Sequence, residues 1–259
     1  MTHSLKNSFV LITGASSGIG VAFAHEYARA GYSLVVTARN GWLLESLASE
    51  LRTKYGVAVE VLVADLMKAD DVAQLVHRIQ HTEKPVEVLV NNAGFGLGKS
   101  FHDATAEQHL AQVDVLARVP LQLMHSAIVS MRERGRGKII NVASVAAFTP
   151  GGTYSAVKRF VVSMSESANL QYASQGLLIT AVCPSLTHSE FHRNMQATEP
   201  KLPRNFWLTP EYVAQQAIAA NNAGKAVVIP SLTYKVLVRA SRILPRKMVG
   251  MAIAGTRDY

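Results

Sequence analysis

A cluster of glycines close to the N-terminus constrains this chain more than any other feature. Gly14, Gly18 and Gly20 follow a short β-branched run and open a segment with apolar residues at helical spacing. Gly14 permits a sharp turn, and the missing side chains at Gly18 and Gly20 let a pyrophosphate approach the backbone. The first N–H groups of the helix, with their partial positive charge, then face the phosphates. The pattern predicts a dinucleotide-binding turn that contains Gly14, Ser16, Ser17, Gly18, Ile19 and Gly20.

Short apolar runs alternate with helical patterns along the rest of the chain. Several of these runs lack polar alternation, as expected for strands that are covered on both faces. Such an order predicts right-handed βαβ crossovers. We therefore predict an α/β fold: a Rossmann-type, doubly wound, mostly parallel seven-stranded sheet with helices on both faces. The predicted strands are Phe9–Thr13, Leu34–Ala38, Ala58–Val63, Val86–Asn91, Lys138–Ala143, Leu178–Cys183 and Ala226–Ile229. Helical patterns include Asp70–Gln80, Ala106–Met131 and Tyr154–Ser174.

The end of the second predicted strand indicates which dinucleotide is bound. A carboxylate there would hydrogen-bond the adenosine ribose and favour NAD(H). This chain has Arg39 instead, and a guanidinium can pair with a 2′-phosphate through two hydrogen bonds. The residue therefore favours NADP(H) over NAD(H). The alternative is that Arg39 is a solvated loop residue.

A tyrosine and a lysine are placed to share one face of a later helix. Tyr154 and Lys158 are four positions apart, and Ser144 ends the strand before them. A cation near a phenol favours the phenolate and lowers the pKa of the tyrosine, which suits proton transfer near neutral pH. Taken alone, this spacing is common on surface helices.

Together these motifs make the chain resemble the short-chain dehydrogenase/reductase family over essentially its whole length. The resemblance implies a Rossmann-type fold and NAD(P)-dependent interconversion of carbonyl and alcohol. Tyr154 would be the general acid, Lys158 would bind the nicotinamide ribose and lower the tyrosine pKa, and Ser144 would orient the substrate. The resemblance also implies cofactor contacts from Asp65, Leu66, Asn91, Ala93, Gly94, Pro184 and Thr187.

Three departures from the family pattern bear on catalysis. Asp114 lies where the family usually has an asparagine that supports a proton-relay water, and it would add a charge near Lys158. Ser144 and Tyr154 are closer in sequence than the family leads us to expect, and Pro184 lacks the usual glycine after it. The leading prediction is an NADPH-dependent carbonyl reductase with Asp114 as a fourth catalytic residue. The alternative is a catalytically impaired NADP-binding regulatory or scaffold protein on the same fold.

Composition and charge bear on the compartment and on the partners that we expect for this chain. The 259 residues include one cysteine, Cys183, and no apolar run of the length that spans a membrane, so we expect a cytoplasmic protein without disulfides. The net charge is +8, yet no nucleic-acid-binding motif accompanies it, and we predict no nucleic-acid partner. We also predict no metal site, because the histidine pairs at 77/81 and 188/192 lack the His-Glu-x-x-His order.

We divide the chain into a catalytic domain, residues 1–231, and a C-terminal basic extension, residues 232–259. Within the domain, Ser185–Leu208 shows no clear periodicity, and we expect a lid over a small apolar carbonyl or alcohol substrate. Ordinary packing is the alternative for this segment. The family resemblance further implies a homodimer or homotetramer.

The extension is predicted to be an amphipathic helix. Its basic residues share one helical face, and its apolar residues fall on the opposite one. The apolar face either covers the core or a partner subunit, or it lies on an anionic membrane surface, where it would serve a reductase of membrane-derived substrates. The basic residues are Lys235, Arg239, Arg242 and Arg246, and the apolar ones are Leu237, Ala240, Leu244 and Met248.

Overall fold

One parallel sheet organises the protein. The computed structural model describes residues 8–188 and 206–241. Its seven strands lie in the order β3-β2-β1-β4-β5-β6-β7, and every neighbouring pair is parallel. The predicted fold class is confirmed, and each strand end lies within one residue of its predicted position. The strands are β1 (Phe9–Thr13), β2 (Ser33–Ala38), β3 (Val59–Val63), β4 (Val86–Asn91), β5 (Gly137–Val142), β6 (Leu177–Val182) and β7 (Val227–Val228).

Helices connect the strands and cover both faces of the sheet. They are α1 (Gly18–Arg29), α2 (Gly41–Tyr55), α3 (Ala69–Ile79), α4 (Ala106–Val113), α5 (Val119–Glu133), α6 (Gly152–Tyr172), α7 (Pro210–Asn222) and α8 (Leu232–Ser241). A 3₁₀ turn, Val145–Phe148, joins β5 to the segment that leads into α6. Among the described helices, none combines the length and the apolarity needed to cross a bilayer.

The helical pattern over Ala106–Met131 was predicted as one unit, and the structure interrupts it. A π-helical turn, Asp114–Arg118, separates α4 from α5. Pro120 lies in the first turn of α5. Proline has no N–H to donate, and its ring clashes with the carbonyl four residues earlier, so the backbone widens before it. The widened turn changes which side chains of this segment face the interior.

Strand alternation sends neighbouring residues into two separate cores. Val10 and Ile12 of β1 pack with α1, α2 and α7 residues on one face of the sheet. Leu11, between them, packs with α3 and α5 residues on the other face. A strand buried on both faces accounts for the absence of polar alternation in the sequence.

A chain of buried amides lies between the central strands and α6. The Asn91 side-chain amide donates to Asn141 Oδ1 at 2.9 Å, and the Asn141 amide donates to Ser165 Oγ at 2.9 Å. Ser165 in turn donates to the Val161 carbonyl at 2.7 Å. Buried polar groups need such partners because leaving them unpaired is costly. These hydrogen bonds connect β4, β5 and α6, the helix that also contains Tyr154 and Lys158.

The strand order reverses between β1 and β4. The chain moves outward from β1 to β3 on one side and then crosses back to build β4 to β7 on the other. Connections on opposite faces leave a crevice at the carboxyl ends of the two strands, where ligands bind in open α/β sheets. The glycine turn after β1 and the Asn92–Gly94 segment after β4 meet there.

Candidate functional site

The glycine turn is packed too tightly to hold any larger residue. A Cβ on Gly14 would lie 2.8 Å from the Ala93 Cα atom, and Gly14 has a φ of +66°. A Cβ on Gly20 would overlap the Gly14 carbonyl oxygen and come within 2.8 Å of the Asn92 amide nitrogen. Gly18 also adopts a positive φ, +52°. The turn therefore has the close backbone approach predicted for a phosphate-binding loop.

The first turn of α1 offers its backbone donors without a side-chain cap. Ser17 occupies the N-cap position in an extended conformation, and its hydroxyl makes no capping hydrogen bond. The N–H groups that begin a helix have no intrahelical partner, and they favour an anion. Ser16, Gly18 and Ile19 lie in the same short stretch. These observations fit the pyrophosphate of a dinucleotide.

Thr13 and Asn92 hold the glycine turn against the end of β4. The Asn92 side-chain amide donates to the Thr13 carbonyl at 2.9 Å and to the Gly14 carbonyl at 3.1 Å. The Thr13 hydroxyl accepts from the N–H groups of Asn92, at 2.9 Å, and Ala93, at 3.0 Å. Both residues lie inside the sequence motifs at Thr13–Gly20 and Asn91–Gly94, although those motifs assign no individual role to either residue.

The fourth-strand residues divide between interior and crevice. Asn91 was predicted to contact the cofactor, but its side chain is buried in the amide chain that links it to Asn141. Ala93 packs against the glycine turn, and Gly94 lies beside Lys158. A Cβ on Gly94 would be 3.8 Å from the Lys158 Nζ atom. The structure thus brings Ala93 and Gly94 to the crevice and keeps the Asn91 side chain behind it.

The predicted adenosine side lies at the ends of β2 and β3. Arg39 is exposed, and it has no acidic partner within the part of the chain that the structure describes. Asn40 caps α2 by accepting a hydrogen bond from the Leu43 N–H at 3.1 Å. A guanidinium without a carboxylate partner is available to a phosphate.

Asp65 and Leu66 follow β3 on this side, as the family resemblance implied. The Asp65 carboxylate accepts from the Met67 N–H at 3.0 Å, and the Asp65 N–H donates to Asp71 Oδ2 at 2.7 Å. Leu66 is half-buried and packs against the apolar cluster that includes Leu116. Both residues therefore shape the loop beside the crevice.

Tyr154 is joined to Ser144 despite their short separation in sequence. The two hydroxyls are hydrogen-bonded, and the Ser144 oxygen also accepts from the Ala146 N–H at 3.1 Å. Burial raises the pKa of Tyr154 to about 12, and the hydrogen bond from Ser144 opposes that rise. Tyr154 is therefore a protonated phenol at neutral pH. A protonated phenol is a hydrogen-bond donor and a proton source.

Lys158 lies one helical turn after Tyr154, in a buried position. Its Nζ atom donates to the Val142 carbonyl at 2.7 Å and lies 5.6 Å from the centroid of the Tyr154 ring. Burial lowers the pKa of Lys158 to about 8.

The expectation that Lys158 lowers the tyrosine pKa stays a prediction. In the structure, burial of the phenol is the largest influence on the Tyr154 pKa and raises it. The Cys183 thiol, which is also buried, adds to the rise in the Tyr154 pKa. The pair therefore stands as a neutral acid beside a cation.

Asp114 is not brought together with Tyr154 and Lys158. Its carboxylate accepts from Arg118 Nε at 2.6 Å, and 38% of its side chain is exposed. Burial and Cys183 are the influences on the Lys158 pKa, and Asp114 is not one of them. The side chain from this segment that reaches the crevice is Leu116, which would contact a Cβ on Gly94 at 2.8 Å. The π-helical turn places Leu116, two residues after Asp114, on the inner side.

Pro184 and Thr187 follow β6, on the side of Ser144 away from the glycine turn. The Pro184 carbonyl accepts from the Val145 N–H at 3.0 Å, which ties this stretch to the 3₁₀ turn after Ser144. Thr187 is buried, and its hydroxyl donates to the Ser185 carbonyl at 3.0 Å. Both residues therefore border the catalytic side of the crevice.

The two ends of the predicted lid are fastened to one another. Leu208 N–H donates to the Leu186 carbonyl at 2.8 Å, and His188 N–H donates to the Leu208 carbonyl at 3.0 Å. The His188 and Trp207 rings stack with centroids 4.8 Å apart. The residues between these ends, including Phe191 and Met195, lie outside the described residues, so the lid prediction is untested.

A histidine that the sequence did not single out anchors the first turn of α6. His109 Nε2 donates to the Phe101 carbonyl at 3.0 Å, which leaves Nδ1 to accept from the Thr153 hydroxyl at 2.8 Å. Its ring also stacks on Phe101 with centroids 4.5 Å apart. Thr153 immediately precedes Tyr154, so His109 connects the segment after β4 to the catalytic helix. Contacts of this kind, between residues 44 positions apart, leave no periodic signal in the sequence.

In residues 8–188 and 206–241, no group of three histidine, cysteine, aspartate or glutamate side chains is arranged to hold a metal ion.

Comparison with known proteins gives consistent matches. The sequence model of the family described as short chain dehydrogenase matches residues 8–200. An oxidoreductase of Staphylococcus saprophyticus is 27% identical over 234 residues, which cover 89% of this chain and 98% of that protein.

Two solved structures extend the comparison. A short-chain dehydrogenase from Sphingobium yanoikuyae in complex with NADPH has a TM-score of 0.82 and 32% identity, covering 91% of this chain and 94% of that one. The bulky-bulky ketone specific alcohol dehydrogenase from Comamonas testosteroni has a TM-score of 0.79 and 30% identity, covering 90% and 92% of the two chains.

Replacing Gly20 by alanine should disturb the glycine turn. The new methyl group would overlap the Gly14 carbonyl, and such overpacking destabilises a protein by about 1–3 kcal/mol. We expect the thermal unfolding midpoint to fall by roughly 3–10 °C in scanning calorimetry. Gly31→Asn is the control, because Gly31 has a positive φ but no atom near its missing Cβ. Equal losses in both variants would contradict the proposed packing.

Proposed function

Because this chain belongs to the short-chain dehydrogenase/reductase family, we propose that it is an NADPH-dependent oxidoreductase that interconverts a carbonyl and an alcohol. One observation carries this proposal. The hydrogen-bonded Ser144–Tyr154 pair, with Lys158 beside it, lies at the carboxyl edge of the sheet that also holds the glycine turn. Acid–base groups and a dinucleotide cradle therefore open on the same crevice.

The residues of the chain would polarise a substrate carbonyl and protonate its oxygen. A bound carbonyl oxygen would replace Tyr154 as the acceptor of the Ser144 hydroxyl proton, and it would also accept a hydrogen bond from the Tyr154 hydroxyl. Tyr154 is protonated at neutral pH, which suits transfer of its proton to the oxygen during reduction. When bound, NADPH supplies the hydride that the carbonyl carbon receives. In the oxidation direction Tyr154 would take the proton back from the alcohol.

Lys158 would serve as a hydrogen-bond donor and as a fixed positive charge. An ammonium has three N–H donors, and the Val142 carbonyl uses one of them. The remaining donors would hold the hydroxyls of the nicotinamide ribose, with Gly94 leaving room beside the Nζ atom. The positive charge would also stabilise the phenolate that forms when Tyr154 gives up its proton.

The preference for NADP(H) rests on Arg39. Its exposed guanidinium, with no described acidic partner, would pair with the 2′-phosphate at the end of β2. The related Sphingobium yanoikuyae enzyme was solved with NADPH, which supports the same cofactor here.

An apolar substrate fits the surroundings of the catalytic pair. Tyr154 and Phe95 pack against a cluster formed by Val115, Leu116, Ala117 and Val157. The Comamonas testosteroni relative is specific for bulky ketones, which supports a substrate of this kind. The family generally forms homo-oligomers, and a homodimer or homotetramer is proposed for this chain on that ground alone.

The alternative of a catalytically impaired binding protein rests on Asp114 and on the short Ser144–Tyr154 connection. The short connection still joins the two hydroxyls, which favours an active reductase. Asp114, by contrast, is paired with Arg118 and does not take the catalytic position expected of it.

Replacing Tyr154 by phenylalanine tests the proposal directly. The variant loses the proton donor and keeps the ring, so kcat for reduction of a bulky ketone with NADPH should fall about 10²- to 10⁴-fold. NADPH affinity, measured by fluorescence titration, should stay close to that of the unmodified chain. Tyr172→Phe, on the same helix, is the control and should keep full activity. A Tyr154→Phe variant with undiminished kcat would rule out the assigned role.

Replacing Arg39 by glutamine tests the cofactor preference. Loss of a charge-assisted hydrogen-bond pair of about 1.5–3 kcal/mol should weaken NADPH binding roughly 10- to 100-fold. NADH binding should hardly change, because NADH has no 2′-phosphate. Lys54→Gln, at the other end of α2, removes the same charge and should affect neither cofactor. If the variant binds NADPH and NADH more weakly by the same factor, Arg39 does not bind the 2′-phosphate.

The pH dependence of kcat/KM for NADPH should follow the ionisation of Lys158 and should not depend on Asp114. Because the pKa of Lys158 is about 8 and the charged form binds, kcat/KM for NADPH should fall as the pH rises through about 8. Tyr154, with a pKa of about 12, adds no break below that range.

The Asp114→Asn variant tests whether Asp114 lies beside Lys158 or is paired with Arg118. An aspartate next to Lys158 would hold the lysine pKa up, so its neutralisation would move the break to lower pH. Since Asp114 is paired with Arg118, we expect the break and kcat to stay in place. A shift of the break toward lower pH would show that Asp114 acts on Lys158 after all.

A further inference from the structure

Helix α8 presents three aliphatic side chains outward. Leu232 is 75% exposed, Val236 is 59% exposed and Leu237 is 50% exposed. Leu232 and Val236 are four positions apart and therefore neighbours on the helix surface. Leu237 lies about 100° around the helix from Val236, so Leu232 and Val236 form an apolar strip and Leu237 is a separate exposed side chain. The proposed reaction makes no use of this strip.

The opposite side of α8 is occupied by contacts with the catalytic domain. Val238 is buried, and the Tyr234 ring meets the Phe206 ring edge-on with centroids 6.1 Å apart. The Ser231 hydroxyl accepts from the Tyr234 N–H at 3.3 Å and so caps the helix. The sequence predicted that Leu237 would lie on the apolar side facing away from Lys235 and Arg239, and the structure buries Val238 instead. The helix is thus held to the domain by its inner side, with the aliphatic strip outside.

Positive charge accompanies the strip. Lys235 and Arg239 are exposed on α8 and, by helical spacing, flank Leu232 on one side. The sequence from 232 to 259 contains six lysines and arginines and a single acidic residue, Asp258. A nucleic acid would satisfy the charges but leave the aliphatic side chains without an apolar partner. An anionic bilayer surface satisfies both, since acyl chains take up the leucines and head groups pair with the cations.

We propose that α8 docks the protein on anionic membranes. Leu232 and Val236 enter the head-group boundary, and Lys235 and Arg239 pair with lipid phosphates. The helix lies against the 3₁₀ turn that follows Ser144, so docking brings the catalytic edge of the domain close to the lipid. The docking itself requires neither cofactor nor turnover, so it is tested independently of the reductase activity.

Co-sedimentation of the full chain with vesicles tests docking. The probes are phosphatidylcholine vesicles with and without about 30% phosphatidylglycerol, at low and high salt. We expect binding to the anionic vesicles alone and a marked loss at high salt, because lipid attraction is screened. No binding to anionic vesicles, or equal binding to neutral ones, would overturn the proposal.

Variants assign the binding to α8. The double variant L232E/V236E should reduce binding at least tenfold, and K235Q/R239Q should reduce it by about fivefold per charge removed. L170E is the matched control, because Leu170 is 86% exposed on α6 and should not matter. Thermal melting of each variant checks that it is folded. Wild-type binding by L232E/V236E would overturn the proposal.

The oligomeric state shows whether the strip on α8 binds a membrane or a second copy of the chain. Analytical ultracentrifugation should give the same oligomer for L232E/V236E and for the unmodified protein. If the variant instead dissociates an oligomer, the strip is a subunit interface and the membrane proposal is wrong.

Discussion

Asn92 ties together two strands that are far apart in sequence. Its amide donates to the carbonyls of Thr13 and Gly14, and the Thr13 hydroxyl accepts from the N–H groups of Asn92 and Ala93. These contacts hold the glycine turn at a fixed distance from Gly94, which lies beside Lys158. The phosphate end and the catalytic end of the crevice are therefore positioned by the same small group of hydrogen bonds.

Burial shapes the chemistry of the catalytic residues more than charge does. Tyr154, Lys158 and Cys183 lie close together. Desolvation raises the pKa of Tyr154 and of Cys183 and lowers that of Lys158, so it favours the neutral form of each side chain. The result is a phenol that stays protonated and a lysine that is charged only up to about pH 8. A protonated Tyr154 next to a charged Lys158 suits carbonyl reduction, because the tyrosine already has its proton when the substrate binds.

Much of the fold could be predicted from sequence because it follows from local patterns. Apolar runs covered on both faces have a direct physical cause, and the parallel sheet that they predict is confirmed. Ser144, Tyr154 and Lys158 are brought together in the structure. Asp114 is not, since Pro120 widens the helix and moves Leu116 to the inner side. That change depends on how one proline is accommodated in three dimensions, which helical spacing does not describe.

Other features were out of reach for the same reason. The raised Tyr154 pKa depends on the sum of all neighbouring atoms, and the His109–Thr153 contact joins distant parts of the chain. The buried face of α8 is set by which side of the helix meets the domain, and the structure buries Val238, which the helical pattern did not assign to the apolar face. Periodicity predicts features that depend on a single helix or strand. It does not predict features that depend on the contact between two elements.

The paired ends of the segment after β6 have an evolutionary consequence. The backbone hydrogen bonds that join Leu186 and His188 to Leu208 close this segment at its base, and the chain on both sides continues into regular structure. Residues 189–205 can therefore change in length and composition between relatives without altering the strand before them or the helix after them. Insertions and deletions in this segment should therefore leave the seven-stranded sheet unchanged.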